Sequence, residues 1–78
     1  MVQAYVFINT KAGTAKNVIA KLRKKKFVKS AHLVTGLHDA IIFMHGKNIK
    51  DLAKNITDSI HKIQGIQKTV TCIVVNGK

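Results

Sequence analysis

The chain has 78 residues, no proline, a single cysteine and a formal charge of +11. That length makes one small domain, taken as residues 1–78, which buries only roughly 60% of its unfolded surface. No apolar run approaches the ~20 residues needed to span a bilayer. The start lacks the basic residues and unbroken apolar core of a secretory leader, and one thiol cannot form an internal disulfide. A soluble cytoplasmic domain with no membrane partner is therefore expected.

In chain order, Gln3 to Thr10 alternates like a strand, and Lys11-Ala12-Gly13 breaks it. Thr14 is placed to cap a helix, its hydroxyl facing the first free amides. Ala15, Val18, Ile19 and Leu22 recur at helical spacing, and this helix is predicted to end near Lys25 or Lys26. Val28 to Gly36 reads as the second strand and Asp39 to Lys47 as the third. The Leu37-His38 link between them is short enough to demand an antiparallel hairpin. Asn48 can cap a second helix with an apolar stripe of Ile49, Leu52, Ala53, Ile56, Ile60 and Ile63. Gly65 suits its end, because glycine accepts a left-handed conformation cheaply. Gln67 to Val75 is the last strand.

Strand-helix-strand, twice over, predicts an α+β, ferredoxin-like βαββαβ fold: a four-stranded antiparallel sheet with both helices on one face. The first and third strands are expected to be central and parallel to each other. Period-two alternation sends Ala31, Leu33, Ile42 and Met44 one way, and Val28, Ser30, His32, Val34, Ile41, Phe43 and His45 the other. Tyr5 and Phe7 likewise face away from Val6 and Ile8, and Val70, Cys72 and Val74 face away from Ile73 and Val75. Apolar residues thus occupy both faces, yet two helices cover only one. A bare apolar sheet face is rare on a monomer. The expectation is a homodimer packed sheet against sheet through Tyr5, Phe7, His32, Val34, Ile41, Phe43 and His45.

The polar turn Thr35-Gly36-Leu37-His38-Asp39 concentrates binding chemistry: a glycine baring its backbone, a histidine, and one of only three carboxylates. Gly36 and Asp39 can equally serve turn geometry alone. The thirteen lysines and one arginine favour anionic partners. Lys21, Arg23, Lys24, Lys25, Lys26 and Lys29 form the densest cluster, which reads either as a solvated helix end or as a nonspecific nucleic-acid surface. Lysine in place of arginine argues against base-specific readout.

Metal and catalytic readings find little. A Gly36–Asp39 turn would set His32 opposite Phe43 with His45 as its diagonal neighbour, but no third ligand converges on the pair, so no metal is expected. Cys72 reads as a small buried hydrophobe and His61 as solvated. With no glutamate and three scattered aspartates, a paired-carboxylate site is not expected, nor is a phosphate-cradling loop or a cofactor. The reading is of a protein that is not an enzyme, although small ferredoxin-like enzymes exist.

The run Gln3-Ala4-Tyr5-Val6-Phe7-Ile8-Asn9-Thr10, then Gly13, is similar to the opening of the effector-binding domain of Lrp/AsnC regulators, also called RAM, for regulation of amino acid metabolism. Val28-Lys29-Ser30-Ala31, Val34-Thr35-Gly36 and Asp39 resemble its second and third strands. Ile63-Gln64-Gly65-Ile66 and Lys68-Thr69-Val70-Thr71 resemble its end. The resemblance covers essentially the whole chain. Family members usually carry an N-terminal DNA-reading helix-turn-helix, so the chain looks like a stand-alone RAM protein for which direct DNA binding stays open.

The resemblance implies a non-catalytic amino-acid sensor that modulates transcription through partners such as full-length relatives. Dimers formed through the sheets would assemble into an octamer or decamer, with the effector between neighbouring dimers. Gly36 and nearby amides would meet the effector's carboxylate and Asp39 its ammonium, while Leu37 and His38 would contact its side chain. Thr69 and Thr71 would complete a neighbouring subunit's pocket. His38 stands where many relatives have tyrosine.

Overall fold

A computed structural model describes residues 1–75 of the chain. The elements are β1 (Val2–Thr10), α1 (Ala15–Arg23), β2 (Val28–Leu33), β3 (Ala40–Gly46), α2 (Ile49–Asn55) and β4 (Ile66–Ile73), with a π-helical turn, Ile56–Ile60, continuing α2. The sheet order is β2-β3-β1-β4, and each neighbouring pair is antiparallel. This is the expected ferredoxin-like fold with β1 and β3 in the centre. The two central strands are antiparallel, however, not parallel. A helical crossover makes β1 and β2 run the same way, and β3, which doubles back from β2, must then oppose β1.

One core lies between sheet and helices. Ala4, Val6, Ile8, Ala31, Ala40, Ile42 and Met44 point at Val18, Ile19 and Leu22 of α1 and at Leu52, Ile56, Ile60 and Ile63. The second helix buries a narrower stripe than its apolar sequence suggests: Ile49 and Ala53 are exposed. Leu52, Ile56 and Ile60 are spaced four apart, so each step would swing about 40° around a regular α-helix. The wide turn, closed by His61 N–H donating to Ile56 O at 2.9 Å, absorbs that drift and keeps Ile60 fully buried.

The caps divide differently from expectation. Asn48 caps α2 as predicted, its Oδ1 accepting from Asp51 N–H at 2.8 Å, while Asp51 Oδ2 accepts from Lys47 N–H at 2.9 Å. Asn48→Ala should cost about 1 kcal/mol in chemical denaturation, and no loss at all would mean the reciprocal cap is idle. Thr14 precedes α1, but its hydroxyl donates to Lys11 O at 2.7 Å instead of accepting from the helix. Helix α1 ends at Arg23, short of the predicted Lys25 or Lys26.

One face and one burial differ from expectation. A register shift between Val28 and Ser30 turns Val28 toward the core, against which it packs, instead of onto the open face with Ser30. Cys72, expected to be buried, is exposed. It pairs with Tyr5 on the face that the helices leave bare.

Candidate functional site

The link between β2 and β3 is longer than the predicted two residues. Strand β2 stops at Leu33 and β3 starts at Ala40, leaving residues 34–39 as a loop that contains Val34. The register moves by two as a result: His32 faces Ile41, and Ser30 faces Phe43. His45 then lies four residues along β3 from His32's partner, about 13 Å away at strand rise, so the two cannot share a metal. Among the described residues, no three His, Cys, Asp or Glu side chains gather where they could hold one.

The loop is held against the end of β1, not free. Asp39 N–H donates to Ile8 O at 2.9 Å, and Val34 N–H donates to Asp39 O at 3.0 Å. The Asp39 carboxylate reaches across as well: its Oδ2 accepts from Thr10 N–H at 2.7 Å and from the Thr10 hydroxyl at 3.3 Å. Asn9 Nδ2 donates to Leu37 O at 2.9 Å, which fixes the orientation of that amide. Its oxygen, Oδ1, therefore faces His38 Nδ1 at 2.9 Å. A carbonyl oxygen can only accept, so Nδ1 donates to it.

Gly36 sits at φ +119°, a conformation that side chains adopt at a cost, and a Cβ there would meet nothing within 4 Å. Leu37 is 90% exposed, so a second copy or a ligand must cover it if it is to be buried. His38 turns back, its ring centroid 5.1 Å from that of Phe7 at a 39° tilt. It therefore borders the open sheet face rather than the loop tip. Asp39 instead borders a shallow hollow of about 310 Å³ that Thr10, Lys11, Gly13 and Lys16 also line.

The two threonines lie elsewhere. Thr69 and Thr71 pair with Ile8 and Val6, so they share the helix side of the sheet. Thr69 Oγ1 is 2.8 Å from Nε2 of His61, which is exposed as predicted. Two strand spacings separate β4 from β3, roughly 10 Å, so one chain does not bring these threonines into the hollow at Asp39. Sequence reading missed Asn9 and Thr10, the residues that hold the loop. A polar pair ending an otherwise apolar strand was the available signal.

On the open face, Tyr5 stacks on Phe43 with centroids 4.8 Å apart. Ser30, His32 and Ile41 join them around a hollow of about 310 Å³, and His45 lies farther along the same side of β3. The basic cluster does not stay together. Arg23 donates from Nε and Nη2 to Ala31 O, at 3.2 and 2.8 Å. Lys26 joins Met1, Phe27 and His45 at one end of the molecule, and Lys29 sits in the irregular start of β2.

The Lrp/AsnC ligand binding domain family matches residues 3–77. The chain belongs to the Lrp/AsnC ligand-binding family. Regulator FL11 of Pyrococcus furiosus is 32% identical over 72 residues, which are 92% of this chain and 47% of that one. The chain spans about half the length of the curated Lrp/AsnC relatives it matches. The crystal structure of FFRP-DM1 superposes with a TM-score of 0.92 at 37% identity, covering 96% of this chain and all of that one. A transcriptional regulator from Neisseria meningitidis, solved in complex with L-Met, shares the fold at 20% identity and a TM-score of 0.87, over 97% of this chain and 51% of its own. FL11 and the Neisseria protein are transcriptional regulators, and the family that this chain matches is a ligand-binding domain. The Lrp/AsnC match identifies the chain as a ligand-binding domain. No helix among the described residues is long and apolar enough to cross a membrane.

Proposed function

We propose that this Lrp/AsnC domain is a cytoplasmic, oligomeric sensor of a small amino acid that modulates transcription through partner proteins, full-length relatives among them. Sheet-to-sheet dimers assemble into an octamer or decamer, and the effector sits between dimers at the loop from Gly36 to Asp39. The observation that carries the reading is the Asp39 hollow. One carboxylate residue shares its lining with Lys11 and Lys16, a charge pattern complementary to an amino acid's own ammonium and carboxylate. Gly36 adds bare backbone at the loop, and the exposed Leu37 reaches the effector's side chain once a neighbouring dimer covers it. His38, held by Asn9 and Phe7, tunes side-chain preference from the rim, and Thr69 and Thr71 line the hollow of an adjoining subunit. The complex of the Neisseria regulator with L-Met supports an amino acid as the ligand class.

Calorimetry against the standard amino acids tests the reading. Asp39→Asn keeps an acceptor for Thr10 while removing the charge, so the fold should persist. Effector affinity should drop about tenfold to a hundredfold, as expected for one charge-assisted hydrogen bond. Asp39→Ala should lose both affinity and loop anchorage. Absence of heat with every amino acid at millimolar concentration would rule the sensor out.

A further inference from the structure

On the helix side, away from both the loop and the open sheet face, lies a cleft of about 560 Å³. Lys21, Lys24 and Lys25 line it from the end of α1, and Lys62 does so from just beyond the π-helical turn that carries Asp58 and Ser59. The fold thus adds to half of the sequence cluster a fourth lysine that is distant in the chain. Four ammonium groups meet one carboxylate there. The other two carboxylates are engaged elsewhere, Asp39 on Thr10 and Asp51 on Lys47.

We infer that this cleft binds the phosphate backbone of nucleic acid without reading its sequence. A concave surface of one charge sign focuses potential and concentrates polyanions, an effect reinforced here by the net charge of +11. The negative end of the α1 dipole amounts to only about half a charge against four cations. Lysine ammoniums are compact point charges that meet phosphate oxygens without the bidentate fork that distinguishes bases. Ser59 adds a hydroxyl able to donate to the same oxygens. This site does not depend on the effector reading, because it shares no residue with the Asp39 hollow.

Fluorescence anisotropy with a labelled mixed-sequence duplex tests it on the full chain. Lys21→Gln/Lys24→Gln/Lys62→Gln removes three charges from the cleft, and Lys29→Gln/Lys50→Gln/Lys54→Gln removes three outside it. Raising salt from about 50 to about 200 mM should weaken the parent about 40-fold more than the cleft variant, the share of three phosphate contacts. The outside variant should keep nearly the parent's salt slope. Equal loss in both variants would reduce the effect to net charge and overturn the site, as would absence of binding at the lower salt. Displacement by tripolyphosphate as efficient as by unlabelled duplex would also overturn it, since small phosphate esters would then be the ligands.

Discussion

Gly65→Ala should lower the unfolding free energy by about 2–4 kcal/mol. Two costs combine. Gly65 sits at φ +105°, and a Cβ there would come within 2.8 Å of Thr14 Oγ1, 3.0 Å of Thr14 Cβ and 3.1 Å of Val18 Cγ2. Gly65 O also accepts from Lys11 N–H at 2.8 Å, so the residue joins the end of the second helical segment to the start of the first. Gly36→Ala is the control. It has a similar φ but open space around it, and should cost only about 1 kcal/mol. Urea denaturation measures both, and equal losses would show that the close approach to Thr14 carries no energy.

The second large effect is expected on the open sheet face. On the proposed sheet-to-sheet dimer, Phe43→Arg should leave 8.6 kDa monomers in light scattering, with the circular dichroism of the fold retained. An uncompensated charge at the centre of an apolar interface costs about 3–5 kcal/mol, or roughly a hundredfold to several thousandfold in dimer affinity. Within one chain the position is partly solvated beside Tyr5 and Ser30, so the monomer itself tolerates the arginine. A variant with the parent's mass would place the dimer contact somewhere other than this face.

Much of the fold was legible because alternation along a strand is a local property. Val6 and Ile8 against Tyr5 and Phe7 gave the two faces of β1 without any knowledge of its neighbours. The same reasoning failed at Val28, where one extra residue in the edge strand reverses the phase and leaves no mark on composition. Val34 and Thr35 are β-branched and read as strand, although they lie in a loop where Val34 N–H donates to Asp39 O and β1 holds Leu37, His38 and Asp39. The antiparallel relation of β1 and β3 was implied by the hairpin and was missed by treating each crossover unit separately.

The candidate site was less legible, because its organising contacts join residues far apart in sequence. Asp39 was recognisable as an unusual carboxylate, but nothing local pointed to Thr10, 29 residues away. Asn9 orders Leu37 and His38 over similar separations. The lysine cluster had the opposite fault. Its density in sequence overstated its unity, since Arg23, Lys26 and Lys29 leave for other parts of the surface while Lys62 arrives from outside it.

Arg23 also makes the two borders of the sheet unequal. By occupying the carbonyl of Ala31 it stops up one outer strand, whose irregular start and exposed Lys29 further discourage docking of another chain. The opposite border, β4, runs for eight residues with Thr69, Val70, Thr71 and Ile73 along it. Strand addition can therefore proceed from one side only. Two such borders can meet and close on each other, whereas endless lateral growth would need both to be receptive. Arg23, Lys29 and the irregular start of β2 together guard this basic chain against endless lateral growth on that side.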